Sequence, residues 1–495
     1  MKLTYRFAAV STLALLLAEP SIAAHHRTPK VAQAVSPAVP MPVLTAPPPA
    51  ARPSLTLAEA LGVAYETNPQ LAAQQASLRA TDEGVAIANG AWRPTISAGG
   101  TYAYQQYFFN PITIPGFGTI SSVSAHPLAG GITVTQPILR GGRTIAEIGR
   151  AKALVRAGRA QLLAAEQTVL LSAATAYMDV VRDTAILDLR QHNVELLKKQ
   201  AQATQAQFNA GSLTRTDVAQ SQARLAASQS DLTAAQSQLE ISRANFMQAI
   251  GRAPETLESE PALPPSLPTG VDDSITLALQ QNPSLVSARE NEIAANYFVD
   301  DEIGTMLPTL SVQGQYGYSQ GSLVSPTGGV SLGGNTSHSM TVTGQLNVPI
   351  YQGGAEEAAV RQAKELHAQA QLNVQVADLQ VRDAVAAAWA QFVAAEASIA
   401  SYEAAERANE IAFEGVTKEQ QVGGRTILDV LNAEQELLNA SVALVSAKRN
   451  AEVAAFQVLA ANGSLTAKTL GLKVKLYDPL EHYDDDAARW IGLGD

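Results

Sequence analysis

The turn-forming residues of this chain recur in the same order. Asn68-Pro69 returns as Asn282-Pro283, Pro94 as Pro308, and Pro137 with Gly141-Gly142 as Pro349 with Gly353-Gly354, at an offset of about 212 to 214 residues. Gly211 returns as Gly423, Asp217 as Asp429 and Gly251 as Gly463. Proline and glycine fix where a chain can stop or reverse, and such small drift over so long a stretch means one architecture built twice. The period lies far outside the roughly 20 to 50 residues of solenoid repeats, and each copy is a whole unit.

Within the first copy, Ser54 to about Asn89 has helix-forming composition, broken at Asn68-Pro69. Past Pro94 the period changes from helical to alternating. Ile96, Ala98, Gly100, Tyr102 and Tyr104 fall on one side, with Ser97, Gly99, Thr101 and Gln105 between them. After an expected loop from about Phe108 to Pro127, Ile132, Val134 and Ile138 alternate with Thr133 and Thr135. The second copy sets Leu310, Val312, Tyr316 and Tyr318 against Ser311, Gln313 and Gln315. Its next strand sets Met340, Val342, Leu346, Val348 and Ile350 against Thr341, Thr343, Gln345 and Asn347. Period-two alternation is a strand with one apolar and one polar face.

An ordinary half-buried sheet has this pattern too. Export and the tyrosine pairs near the strand ends favour a membrane barrel, whose lipid-facing and lumen-facing residues alternate between aromatic girdles. Lys2 and Arg6 precede an apolar run from Phe7 to Ala18, and Ser21-Ile22-Ala23 offers a small-x-small cleavage site. Residues 1–24 are therefore expected to be a signal peptide, the run being too short for a span of about 20 residues. The sequence holds no cysteine, hence no disulfide and no thiol for lipid attachment. Residues 25–53, rich in Pro and Ala, read as an extended linker.

Four strands cannot close a barrel, since the smallest membrane barrels have about eight and an open edge is not tolerated in lipid. The chain must oligomerise. A dimer gives about eight strands filled by side chains, and a trimer about twelve with room for a lumen.

After Gly141-Gly142 the period is helical again. Ala173, Val180, Leu187, Val194, Ala201 and Phe208 lie seven apart, the seam of a left-handed coiled coil. A helix from about Arg143 to Asn209 would run on the order of 100 Å. A turn at Ala210-Gly211-Ser212 reverses it. The return carries the seam at Val218, Leu225, Leu232, Leu239 and Phe246, repeated in the second copy at Val430, Leu437, Leu444, Ala451 and Val458. Narrow apolar stripes on Ala/Gln/Ser-rich helices leave a broad wet face, and a ring of such helices encloses water.

The repeated order of helices, strand pair and long hairpin, the Asn-Pro dipeptides, Pro349-Ile350-Tyr351-Gln352-Gly353-Gly354 and the tip sequence Val422-Gly423-Gly424-Arg425-Thr426-Ile427-Leu428-Asp429-Val430-Leu431 resemble the TolC family of outer-membrane efflux and secretion channels. The resemblance covers nearly all of Leu55 to Leu472. It implies a mainly α fold with a membrane β-barrel portion: four strands per chain, a trimeric 12-stranded barrel, and an α-helical tunnel through the periplasm. The implied partners are two further copies, a periplasmic adaptor, an inner-membrane transporter and outer-membrane lipid.

By the same resemblance Asp217 and Asp429 match acidic positions at the periplasmic constriction, and Arg425 a basic residue of the closing network. Gln420 stands where the best-studied member has a tyrosine link, and Asn432 where it has a second acid, which implies a differently wired lock and weaker cation selectivity. Independently of the family, Thr214-x-x-Asp217 and Thr426-x-x-Asp429 are capping-box spacings at a helix start. Cap and constriction are compatible roles, and six carboxylates at one level of a trimer would select cations. Gly211, Gly423 and Gly424 are read as the tip turns. Pro137, Gly141, Gly142, Pro349, Gly353 and Gly354 are read as the barrel-to-helix junctions.

The two repeats are thus assigned to residues 54–268, with strands at about 94–107 and 128–139, and 269–472, with strands at about 308–319 and 338–350. The acidic tail, 473–495, is read as solvated. A net charge of −11 argues against nucleic acid. Without a metal, phosphate or nucleophile motif, neither cofactor nor catalytic residue is expected. The expected function is a passive exit duct of a tripartite efflux pump or type I secretion system, with its cargo illegible. The alternative is a periplasmic coiled-coil scaffold or adaptor, which shares the heptads and has no use for the strands.

Overall fold

The computed structural model of the chain describes residues 55–115, 118–259, 267–324, 331–486 and 489–492. The expected signal peptide and linker lie outside them. The first half runs α1 (Leu57–Thr67), α2 (Pro69–Gly90), β1 (Thr95–Tyr102), β2 (Gln105–Ile114), β3 (Gly118–Ala125), β4 (Leu128–Arg140), α3 (Arg143–Asn209) and α4 (Arg215–Ile250). The second runs α5 (Val271–Gln281), α6 (Pro283–Thr305), β5 (Thr309–Val324), β6 (Ser331–Asn347), α7 (Ala355–Gln421) and α8 (Ile427–Ala461), followed by the short α9 (Glu481–Asp486). The long helices α3 and α7 both have 67 residues, about 100 Å at 1.5 Å per residue.

The repeated Asn-Pro dipeptides do the same work twice. Asn68 caps α2, its Oδ1 accepting from Gln70 N at 2.8 Å while its Nδ2 donates to the Ala249 carbonyl at the end of α4. Asn282 caps α6, accepting from Ser284 N at 3.0 Å and donating to the Ala461 carbonyl at the end of α8. Each proline occupies the first helical turn, where its missing N–H has no partner to lose.

The strands form one antiparallel sheet in which β1 pairs β4, β4 pairs β5 and β5 pairs β6, with the β2–β3 hairpin continuing β1 and β4 upward. The duplication reaches the register. Thr95 faces Thr135 in the first pair and Thr309 faces Asn347 in the second, the same positions under the repeat. The alternation expected from sequence is realised: Ile96 faces Val134, Leu310 faces Leu346 and Tyr316 faces Met340 on one side, and Ser97 faces Thr133 and Gln315 faces Thr341 on the other. The apolar side is bare, with Ile96 72%, Val342 68% and Met340 82% exposed.

Three expectations are corrected. Residues 108–127, read as a loop, are largely the β2–β3 hairpin, and β5 and β6 extend to Val324 and back from Ser331 past the expected 319 and 338. The upper strands are Gly/Ser-rich, with Pro111 inside β2, and show no clean alternation. At the base, β6 stops at Asn347, leaving Val348 and Ile350 outside it, because Pro349 has no N–H for a ladder. The third concerns the tail from Lys473, which is not a free solvated segment. Tyr477 N donates to Tyr65 Oη at 3.1 Å, and the Arg159 guanidinium lies 5.0 Å over the Tyr483 ring.

The core lies where α1, α2, α3 and α4 meet, around Tyr177, Phe246, Leu61, Leu71 and Leu170. Tyr177 donates to the Leu55 carbonyl at 2.8 Å and accepts from Glu258 N at 3.0 Å, and burial pushes its phenol up to about 12. Away from this core the expected α3 seam thins: Ala173 and Val180 are buried, whereas Phe208 near the tip is 38% exposed. Near the tip fewer helices of the same chain flank α3, so the seam there has less to pack on.

Candidate functional site

Two helical hairpins turn at the end remote from the sheet. Both turns use the same backbone: Gly211 at φ +81° and Gly423 at φ +84° occupy the left-handed region, closing α3 and α7. Gly424 is not left-handed, and its N–H closes the turn on the Glu419 carbonyl at 2.8 Å.

Each return helix opens on a capping box. Thr214 Oγ1 accepts from Asp217 N at 3.3 Å, while Asp217 Oδ2 accepts from Thr214 N at 2.9 Å and from its hydroxyl at 2.6 Å. Thr426 and Asp429 repeat this at 3.2, 2.9 and 2.7 Å. The threonine hydroxyl, then the threonine N–H, hold both carboxyls below the usual aspartate range. Both acids are therefore ionised at neutral pH, and both stand one turn from the tip. In each, Oδ2 takes the capping bonds and Oδ1 takes none among the described residues.

The second tip carries charges the first lacks. Arg425 Nε donates to Glu419 Oε2 at 2.8 Å within the α7–α8 turn, and Leu213 occupies the matching place in the α3–α4 turn. Gln420 is half-buried, its carbonyl accepting from Gly423 N at 3.0 Å. Asn432, one turn into α8, accepts at Oδ1 from Arg224 of α4 at 2.9 Å, joining the two hairpins. Sequence reading singled out neither Arg224 nor Glu419. Beneath the polar tip, Leu197, Ile427 and Leu431 form a small apolar cluster with Leu213 and Leu225.

Glu434, two turns into α8, is 6% exposed, and its Oε1 has no hydrogen-bond partner among the described residues. Burial alone pushes its carboxyl up to about 7. Further up, a polar girdle ties three helices together. Arg449 of α8 reaches Asp179 of α3 at 2.9 Å, Arg182 pairs with both Asp179 and Asp183, and the buried Asp183 accepts from Ser242 of α4. No cluster of three or more metal-ligating side chains occurs among the described residues.

At the opposite end, the junction glycines Gly141, Gly142, Gly353 and Gly354 all have positive φ, from +62° to +83°, letting each strand turn into its long helix. Gly141 is packed against the Gly304 carbonyl of α6 and against Leu307 just beyond that helix, whereas a Cβ at Gly353 would meet nothing within 4 Å among the described residues. Pro137 faces Ser311 at a bulge in β4, and Pro349 follows the end of β6.

The profile of the outer membrane efflux protein family matches residues 60–252 and 274–464. The chain belongs to that family. The outer membrane efflux protein BepC of Brucella suis is 35% identical over 440 residues, covering 89% of this chain and 92% of that protein. The outer membrane protein TolC of Escherichia coli is 25% identical over 84% of this chain and 85% of its own. Among solved structures, the CmeC outer membrane channel of Campylobacter jejuni superposes with a TM-score of 0.71 at 17% identity, over 87% of this chain and 89% of that one. The family is one of transport proteins, and the chain is an outer-membrane exit duct for efflux or type I secretion. The scaffold reading is overturned by this membership.

Proposed function

We propose that three copies of the chain close head to tail into one duct, a 12-stranded barrel in the outer membrane above a helical tunnel. The tips are its gate. An inner-membrane transporter, coupled through a periplasmic adaptor, supplies the energy. Across the chain the helices follow the order α2–α3–α6–α7 and the strands β1–β4–β5–β6. This arc is open at both ends, and the observation that carries the reading is that β1 and β6 each leave one edge unpaired among the described residues. Such edges require a partner in lipid. At the same end of the arc as β6, farther down α7, Leu372, Val376 and Leu379 lie on one stripe, 59%, 50% and 66% exposed. A heterologous contact joining one end of the arc to the other generates a ring.

The duplication supplies the register of that contact. Within the chain β4 meets β5 with Thr133 opposite Gln315 and Thr135 opposite Gln313. Moved by the repeat, these become Gln345 of β6 opposite Thr101 of the next copy, and Asn347 opposite Gly99. Because the sequence holds no cysteine, Thr101→Cys with Gln345→Cys is a clean probe. Oxidation in outer-membrane preparations should give ladders ending at a trimer on denaturing gels. Intramolecular products only, or recovery of a soluble monomer, would overturn the reading.

The favoured cargo is small molecules, since the relative matched at 35% identity over 92% of its length is named an efflux protein. A deletion strain should gain drug susceptibility while its secreted proteins are unchanged. The reverse outcome would assign the duct to secretion.

A further inference from the structure

The C-terminal segment is the part of the fold that neither the repeat nor the tips use. It leaves α8, passes α1 with Val474 against Gly62 and Tyr477 on Tyr65, and climbs the length of α2. Half-way up, His482 Nδ1 stands 3.5 Å from Oδ2 of Asp82, a carboxylate 1% exposed, beside Arg159 and Tyr483. At the top the Arg93 guanidinium donates to the Arg489 carbonyl at 2.6 Å and lies 4.7 Å over the ring of Trp490. Arg489 and Trp490 therefore lie level with Arg93, two residues before β1 begins.

What it presents there is apolar and bare. Trp490 is 68% and Ile491 92% exposed, beside Trp92 at 50%. Ile350 and Tyr351, 94% and 78% exposed, leave the base of β6 just below the last sheet residue. Farther along the same strands lies a second set of aromatic side chains. Tyr102, Tyr104 and Tyr316 are exposed, Tyr316 Oη lies 3.0 Å from His338 Nδ1, and the Tyr104 ring lies 5.2 Å from that of His126 at a tilt of 58°. From Thr309 to Tyr318 the strand β5 runs about 30 Å, which at the tilt of about 35–45° usual for barrel strands is roughly 21–25 Å of height, close to the apolar band between the aromatic girdles of outer-membrane barrels. Indole rings with adjacent guanidinium groups are the side chains that settle at the lipid headgroup level.

We propose that the C-terminal segment is a membrane-interface anchor: Trp490 and Ile491, with Trp92, insert at the headgroup level of the periplasmic leaflet, and Arg93 and Arg489 face the lipid phosphates. The inference rests on the reading that the sheet spans the outer membrane. It gives the chain a second, peripheral hold on the bilayer. The contacts to Tyr65, Asp82 and Arg159 are what aim the segment at that level.

The chain has three tryptophans, so Trp92→Phe with Trp389→Phe leaves Trp490 as the sole indole. Phe at position 389 retains the aromatic contact with Phe392. The full-length variant is reconstituted in vesicles of phosphatidylcholine brominated either near the headgroup or near the chain ends. Trp490 should lose roughly half its emission to shallow bromines and much less to deep ones. A chain retaining only Trp389 should lose none. A third variant, lacking all three tryptophans and carrying Met340→Trp on the bare face of β6, reports the sheet itself and should be quenched by the deep bromines. If Met340→Trp is quenched and Trp490 is not, the anchor is wrong and the barrel stands. If neither is quenched, the barrel reading fails and the anchor with it.

Discussion

Arg224 of α4 donates to Oδ1 of Asn432 on α8 over 2.9 Å, the hydrogen bond by which the first hairpin holds the second near the tips. Residue 432 thus has a bonding partner in the neighbouring hairpin. An exposed hydrogen bond to a charged group contributes about 1 kcal/mol. Removing it should shift a closed-to-open equilibrium by about fivefold per protomer. Arg224→Ala is expected to raise single-channel conductance or open probability in planar bilayers. Asn432→Asp, which makes the link charge-assisted, is expected to lower it.

Asp217 and Asp429 each spend one carboxylate oxygen on the helix cap and keep the other as exposed charge. Cap and constriction-ring roles are therefore compatible in one side chain. The double variant Asp217→Asn with Asp429→Asn retains a capping acceptor and loses the charge. Its reversal potential under a salt gradient should move toward zero, with weaker block by multivalent cations. An unchanged potential would leave both residues as caps alone.

The two junctions differ in their surroundings, and their glycines should differ in cost. A Cβ at Gly141 would stand 2.9 Å from Leu307 Cβ and closer still to the Gly304 carbonyl, with φ already at +62°. Strain and crowding together put Gly141→Ala at about 2–4 kcal/mol. Gly353→Ala meets open space within its own chain and pays the left-handed strain alone, about 1–2 kcal/mol. Denaturation midpoints of detergent-solubilised protein should rank wild type above Gly353→Ala above Gly141→Ala. The reverse order would mean that the second junction is packed more tightly by a neighbouring copy than the first is by α6.

What sequence made legible was whatever is periodic or local. The heptads and their bounding glycines gave α3 its limits, Arg143–Asn209, and period-two alternation gave the faces of β1, β4, β5 and β6. The capping boxes at Thr214 and Thr426 lie within three residues of their acids. The contacts missed are those with no local signature: Arg224 and Asn432 are 208 positions apart, and Arg93 and Arg489 are 396 apart. The tail reads as solvated because its acids are contiguous, while the residues that dock it, Tyr477, His482 and Trp490, are scattered singly. Glu434 had a signal: it lies four positions after Val430 of the seam, where a heptad places its second buried residue.

That buried acid makes stability depend on pH. Its carboxyl rises from an ordinary 4.5 to about 7, with burial the sole cause. A folded-state pKa above the unfolded one means the folded chain holds its proton while the unfolded chain has released it. The contribution of Glu434 is therefore most favourable below about 4.5, declines as pH rises toward 7, and is level above that. The shift corresponds to a cost on the order of 3 kcal/mol at pH 8. Glu434→Gln should relieve it, raising the denaturation midpoint above neutral pH and flattening the profile between pH 4.5 and 7. Because the residue lies two turns from the cap of α8, the destabilisation is local to the tip. Amide exchange in the first turns of α8 should quicken with pH, beyond its intrinsic chemical dependence, in the wild type and not in Glu434→Gln. Equal exchange in both would show that Glu434 finds a partner in the assembled duct.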